Sequence, residues 1–334
     1  MRIEFHKNLD STQTQALYAF TQANHLPPLA LPDWLKIAQT VFNRQPFILL
    51  SKNDEGTLNG FCAGYHRQRK LYTLPFGFFA QNDDIAEMLN ERLRVYAKEQ
   101  GLQSACLFSA SEHNNLGRPI MRHHLILPLK ANDEEELYAS IPKKQRNMIK
   151  KAQSGEYEIS GSWEHIEKFY CIYADHCREK ALSQKPIAYF YALREIFGEN
   201  IMLYSALDKD DVVAGMVFLK SVNAASYLFN ASMASAQRAG VNNLLMWEAS
   251  KSFYHTGHNF IELGLSALES PVYQFKKRLS KNIEECSIFR YEVTFRELST
   301  GERIRQLITG KYNGLLSRLN LRTLMIADPE QKIF

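Results

Sequence analysis

The chain has no apolar run long enough for a membrane span, no CxxC pair and no phosphate-cradling glycine loop of the GxxxxGK[ST] or GxGxxG type. Each absence removes a class of function. The five cysteines, Cys62, Cys106, Cys171, Cys177 and Cys286, are scattered and odd in number, which argues against a disulfide framework and reads as reduced, mostly packed thiols. Metal-ligand spacing is missing as well. His123 and His124 are consecutive in a strand-like run and so point to opposite faces, and His255 and His258 straddle Gly257 with no carboxylate or cysteine at ligand spacing, so no metal site is expected. Gly264-Leu265-Ser266-Ala267-Leu268 lacks the closing glycine of a nucleophile elbow, which argues against a serine hydrolase. The polar opening MRIEFHK does not read as a signal peptide, and the expectation is a cytoplasmic protein.

What remains is an ordinary globular composition, 45% hydrophobic and 23% charged over 334 residues, long enough for two domains. A net charge of +4 is too small to imply nucleic acid by itself, so the placement of charge matters more than its sum. Strands are predicted at 46–51, 58–66 and 70–79, followed by an amphipathic helix at 83–99 and a strand at 103–109. The order strand, strand, strand, helix, strand then recurs at 201–207, 212–220, 227–231, from about Asn242, and at 260–263, an offset of about 155 residues at matching elements. Two copies of one α/β unit are therefore expected, with 123–129 closing the first copy, Asp133-Glu134-Glu135-Glu136 opening the second, and a strand at 289–295 and a helix at 303–319 left over.

Acidic residues are absent between Glu136 and Glu156, where Lys143, Lys144, Arg146, Lys150 and Lys151 crowd one segment. As a helix capped by Ser140 with Pro142 in its first turn, this segment puts its cations on one arc and Ile141, Met148, Ile149 and Ala152 on the other. A face of one sign is a solvated surface or a seat for a polyanion such as tRNA, a phosphate or acidic lipid headgroups. Gln237-Arg238-Ala239-Gly240-Val241-Asn242, before a helix that Asn242 is placed to cap, resembles the loop on which acyl-CoA N-acyltransferases hold pyrophosphate. Arg238, Gly240, Asn242 and Asn243 are accordingly donor-binding candidates, and this loop and Lys276 could face each other across one cleft.

Leu137-Tyr138-Ala139-Ser140-Ile141-Pro142-Lys143-Lys144-Gln145-Arg146-Asn147, running into Lys150-Lys151-Ala152, resembles the L-x-x-S-x-x-K-K-x-R-N signature of Fem-like proteins. The likeness continues through Leu74-Pro75-Phe76-Gly77, Phe197-Gly198, Asn243-Leu244-Leu245, Glu262-Leu263-Gly264 and Tyr273, Phe275 and Lys276. It implies a pair of tandem GNAT-like domains, each a mixed, mostly antiparallel sheet flanked by helices. The boundaries expected are 1–130, with 298–334 returning to it, and 131–297. The resemblance further implies an amide-forming transferase that moves an amino acid from aminoacyl-tRNA, or an acyl group from acyl-CoA, to an amine of a cell-envelope precursor or related small acceptor. No bound cofactor is implied. Lys276 is then the group that neutralises a developing oxyanion or a donor phosphate, Phe275 sets its position, and Glu262 accepts the amine proton. Lys143, Lys144, Arg146 and Lys150 join the donor-binding set. No membrane span is expected, although peripheral membrane contact fits the cationic helix. The competing reading is a GNAT-fold binding protein without catalysis. Relatives usually have Asp at Glu262 and carry a Trp-Gly pair where this chain has Leu279-Ser280.

Overall fold

The computed structural model describes residues 2–266, 268 and 270–296, so the helix expected at 303–319 and the segment 298–334 lie outside the described residues. The first half runs β1 (Arg2–His6), α1 (Ser11–Ala23), α2 (Trp34–Thr40), β2 (Gln45–Lys52), β3 (Leu58–Arg67), β4 (Lys70–Ala80), α3 (Asp83–Glu99) and β5 (Ser104–Ser109). After β6 (Ile120–Pro128) come α4 (Glu134–Ser140), α5 (Lys143–Gln153), β7 (Glu158–Ser160), α6 (Ile166–Glu179) and α7 (Ile187–Phe197). The second half continues with β8 (Ile201–Asp208), β9 (Asp211–Lys220), β10 (Ala224–Ser232), α8 (Ala234–Ala239), α9 (Val241–His255), β11 (Phe260–Leu265), α10 (Pro271–Lys277) and β12 (Glu284–Thr294).

Local chemistry accounts for most of these elements. Strand β3 is buried along most of its length because helices cover both of its faces, and α3 starts where the Asn82 side chain accepts the Ile85 N–H. Asp83 and Asp84 in the first turn and Lys98 in the last complement the α3 dipole. The expected meander–helix–strand order appears twice, as β2-β3-β4-α3-β5 and β8-β9-β10-α9-β11, and in both copies the closing strand pairs parallel to the third.

The twelve strands form one sheet in the order β1-β2-β3-β4-β5-β12-β6-β11-β10-β9-β8-β7. Here the structure departs from the sequence reading. The segment expected to close the first copy, 123–129, lies in β6 and pairs with β11 of the second half, while β12 is laid antiparallel against β5 of the first half and against β6. Each half thus lends a strand across the junction. Backbone pairing at the two inner edges drives this, because an unlent edge would leave a ladder of unpaired N–H and C=O groups.

Alternation along the strands separates two faces. On one, Phe61 and Ala63 of β3, Val217 and Leu219 of β9, and Ile288 of β12 join α1, α2, α6 and α7 in a single core, with Trp34 against Phe197 (4.9 Å) and Phe42 against Tyr189 (5.8 Å) bridging the halves. On the other, Cys62 and Tyr291 pack under α3, while Leu127, Phe218 and Leu263 pack under α5 and α9. Among the described residues no helix is long and apolar enough to cross a membrane.

Candidate active site

Both parallel pairs part midway. Strands β4 and β5 pair at Tyr72 with Cys106, and again only at Phe78 with Ser109; β10 and β11 pair only from Ala224 with Phe260 to Ser226 with Glu262. A cleft of about 570 Å³ opens between the halves, on the face that carries Ile288. Its walls are aromatic, with Tyr65, Tyr72, Phe108, Tyr189, Tyr227 and Phe229. Its charges are one-sided: among the described residues Arg44, Arg67, Arg122, Arg290 and Lys276 line it against one carboxylate, Glu262.

Glu262 and Lys276 meet around Gly264. The left-handed backbone at Gly264 (φ +74°), a region costly for a side-chain-bearing residue, turns its N–H to the Glu262 Oε1 (2.8 Å) and its carbonyl to the Lys276 Nζ (3.3 Å). Lys276 also donates to the Ser266 hydroxyl at 3.0 Å. Both charged side chains are removed from water, Glu262 at 1% and Lys276 at 5% exposure. Burial pulls the Lys276 ammonium down from its usual value to about 8, against the opposing attraction of Glu262. The second oxygen of Glu262, Oε2, is buried without a hydrogen-bond partner among the described residues.

Lys276 reaches the cleft from α10, a helix that the sequence reading did not contain: Ser270 caps it by accepting the Tyr273 N–H at 3.1 Å, and Pro271 occupies its first position. Phe275 does not line the cleft. It packs on the core under α9 beside the buried Tyr273, which fixes α10 and thereby the direction of Lys276.

The donor-loop candidates lie elsewhere. Asn242 caps nothing; it sits within α9, where its amide donates to the Ser232 hydroxyl at 3.0 Å and its oxygen accepts from Asn230. The residue before α9 is Gly240 (φ +89°), and the stretch before it forms helix α8 instead of an open loop. A Cβ on Gly240 would stand 2.5 Å from the Met148 carbonyl oxygen, so α5 lies directly over this turn. Lys151 donates to the Arg238 carbonyl at 2.9 Å, and Asn243 borders a small recess with Ser140 and Trp247. Arg238, Gly240, Asn242 and Asn243 thus do not share the cleft with Lys276.

The basic segment is two helices rather than one. Ser140 ends α4, its hydroxyl donating to the Leu137 carbonyl, and Pro142 is the residue before α5. Ile149 and Ala152 are buried, while Lys143, Lys144 and Lys150 are exposed and Arg146 lies over the Tyr138 ring. The segment after α10 is tied to the end of α4: the Lys281 N–H and ammonium donate to the Ser140 and Ala139 carbonyls, at 2.8 and 3.1 Å.

Sequence reasoning missed the arginines and His124. Arg122 and His124 share a strand face, and alternation alone would have aimed both at one surface. Arg44, Arg67 and Arg290 come from three other segments and carry no local signal.

Residues 103–208 match the FemAB family. The fold is that of the crystal structure of FemX, with a TM-score of 0.69 at 13% identity, covering 92% of this chain and 100% of that one. A tandem GNAT protein from the clavulanic acid biosynthesis pathway aligns at a TM-score of 0.55 and 11% identity over 89% of this chain and 100% of its own. L-PGS from Bacillus licheniformis aligns at 0.55 and 11% identity over 95% and 97%. No curated protein matches by sequence. The two-copy α/β fold expected from the repeat is the fold these structures share.

Proposed function

We propose that this chain, which is similar in fold to FemX and to tandem GNAT proteins, is an aminoacyltransferase that forms an amide between an amino acid carried on tRNA and an amine acceptor held in the cleft between the halves. The observation that carries this reading is the burial of Lys276 and Glu262 at the cleft, each hydrogen-bonded to the backbone of Gly264. The acceptor nitrogen attacks the ester carbonyl carbon, a C–N bond forms, and negative charge grows on the carbonyl oxygen. The Lys276 ammonium lies where it meets that charge in a site shielded from water, where a fixed cation is most effective. Glu262 takes the proton released by the attacking amine; when the C–O bond breaks, that proton returns to the departing ribose oxygen.

Two features favour tRNA over acyl-CoA as donor. The turn at Gly240 that would seat a pyrophosphate is covered by the Met148 backbone, so a phosphate cannot approach it closely. The exposed cations Lys143, Lys144 and Lys150 of α5 form a single-sign surface suited to a polyanion. The acceptor belongs to the small or cell-envelope-precursor amines, and the cleft's four arginines favour one that carries negative charge. The test is transfer of a labelled amino acid from charged tRNA to a panel of amine acceptors, with and without ribonuclease. Ribonuclease-sensitive transfer supports the reading; ribonuclease-resistant transfer from acetyl-CoA overturns it.

A further inference from the structure

His124 is a further titratable group buried beside Glu262, and no step above uses it. Its side chain is 6% exposed on β6, on the same sheet face as Glu262, with its ring against Phe76 at 5.2 Å and its Nδ1 3.5 Å from the Glu262 Oε1. That distance is an ion-pair contact, longer than a formed hydrogen bond. Lys276, by contrast, makes no direct ion pair with Glu262 among the described residues; its ammonium is committed to the neutral Gly264 carbonyl and Ser266 hydroxyl. We infer that His124, as a buried imidazolium, is the counter-ion of Glu262, and that this arrangement keeps the Lys276 charge uncommitted.

The electrostatics of the enclosure require some such partner. A carboxylate that is 1% exposed is strongly destabilised unless a cation or several donors offset its lost hydration, and among the described residues Glu262 accepts a hydrogen bond from the Gly264 N–H alone. Two cations are near enough to serve. Were Lys276 the partner, its charge would already be spent in the resting state and add little when an oxyanion forms, since only interactions that strengthen on the way to the transition state accelerate a reaction. With His124 as partner, the Glu262 carboxylate is offset without drawing on Lys276, whose charge faces the reacting carbonyl. The other groups facing His124 do not replace this role. Cys286 lies directly across on β12, Arg122 shares its strand, and Glu284, on the same face of β12, is exposed. Burial lowers the affinity of His124 for its proton, and the Cys286 and Glu262 contacts with the Glu262 charge override this, pushing its pKa up to about 9. His124 touches no substrate; it is a positioning residue, and its role in transfer rests on the reading proposed above, whereas its charge does not.

The experiment therefore reads the charge without any substrate. Competitive labelling of the intact protein with acetic anhydride across the neutral and alkaline range, followed by mass spectrometry of the Lys276 peptide, gives the midpoint at which that amine loses its proton. His124→Gln leaves the Glu262 charge facing Lys276 alone and should raise the midpoint by about one pH unit or more. In the Glu262→Gln background the same substitution should produce no upward shift. An unchanged midpoint in His124→Gln, or an equal shift in both backgrounds, overturns the inference. Should His124→Gln fail to fold, proton NMR of the His124 ring decides in the unsubstituted protein: titration well above the ordinary imidazole range supports the counter-ion, and titration at or below that range overturns it. Failure of the transfer assay with charged tRNA leaves these outcomes readable.

Discussion

Lys276 carries its charge at a cost, because burial lowers the ammonium pKa from the usual 10.5 to about 8. If that charge meets an oxyanion only in the transition state, Lys276→Ala should lower turnover on the order of a hundredfold with little loss of stability, since the substitution also removes a desolvated cation. Steady-state kinetics paired with thermal unfolding checks both halves of this statement, and normal turnover removes Lys276 from the mechanism. Turnover should also decline as pH rises through about 8, where the ammonium is lost. Lys276→Arg, whose guanidinium keeps its proton, should move that decline upward even if it lowers the maximum. A wild-type profile flat through this region would place the essential proton on another group. For stability the two cations run in opposite senses. His124, raised in the fold, contributes stability fully present below 6.5 and lost as pH rises through about 9. Lys276, lowered in the fold, destabilises fully below about 8 and ceases to do so as pH rises toward 10.5. In Lys276→Met the His124 window stands alone, and urea midpoints should fall across it with increasing pH; midpoints that rise there contradict the assignment.

At the scale of elements, the decisive contact is α5 on the start of α9. The sequence pattern was enough to divide α5 into an apolar and a cationic face, and Ile149 and Ala152 are buried as that pattern required. It was not enough to say what the apolar face covers. Gly240→Ala brings a Cβ within 2.5 Å of the Met148 oxygen at a left-handed φ, so it should cost about 1–3 kcal/mol and loosen α5. Denaturant unfolding measures the cost, and wild-type stability in the variant would refute the close packing. Reversing Lys143, Lys144 and Lys150 to Glu leaves that interface intact because all three are exposed. The triple variant should bind tRNA more weakly and with a flatter dependence on salt, read by filter binding at two ionic strengths. Equal affinity of variant and wild type at both would leave the face a solvated surface.

Across the whole molecule, β12 of the second half pairs with β5 of the first and with β6, and the Ile288 side chain is buried in the core that α1, α2, α6 and α7 share. The halves should therefore unfold as one unit, and Ile288→Asp, which buries a charge without a partner, should weaken both by about 3 kcal/mol or more. Hydrogen exchange in β2–β4 and in β8–β10 reads each half separately; faster exchange confined to one would separate them. Much of the local structure was legible in the chain, since periods of two and of 3.6 residues are set by near neighbours and survive in short windows. So were the two-copy order and the single-sign face of α5, and Glu262 and Lys276 stand only fourteen residues apart. Folding alone fixes which strands cross the junction, that α5 covers the Gly240 turn, that Arg44, Arg67, Arg122 and Arg290 converge on one cleft, and that His124 lies beside Glu262. Those outcomes depend on strand pairings such as Cys286 with His124, between residues far apart in the chain. Such pairings are selected by the cooperative burial of the whole sheet, and no short stretch of sequence contains that energy.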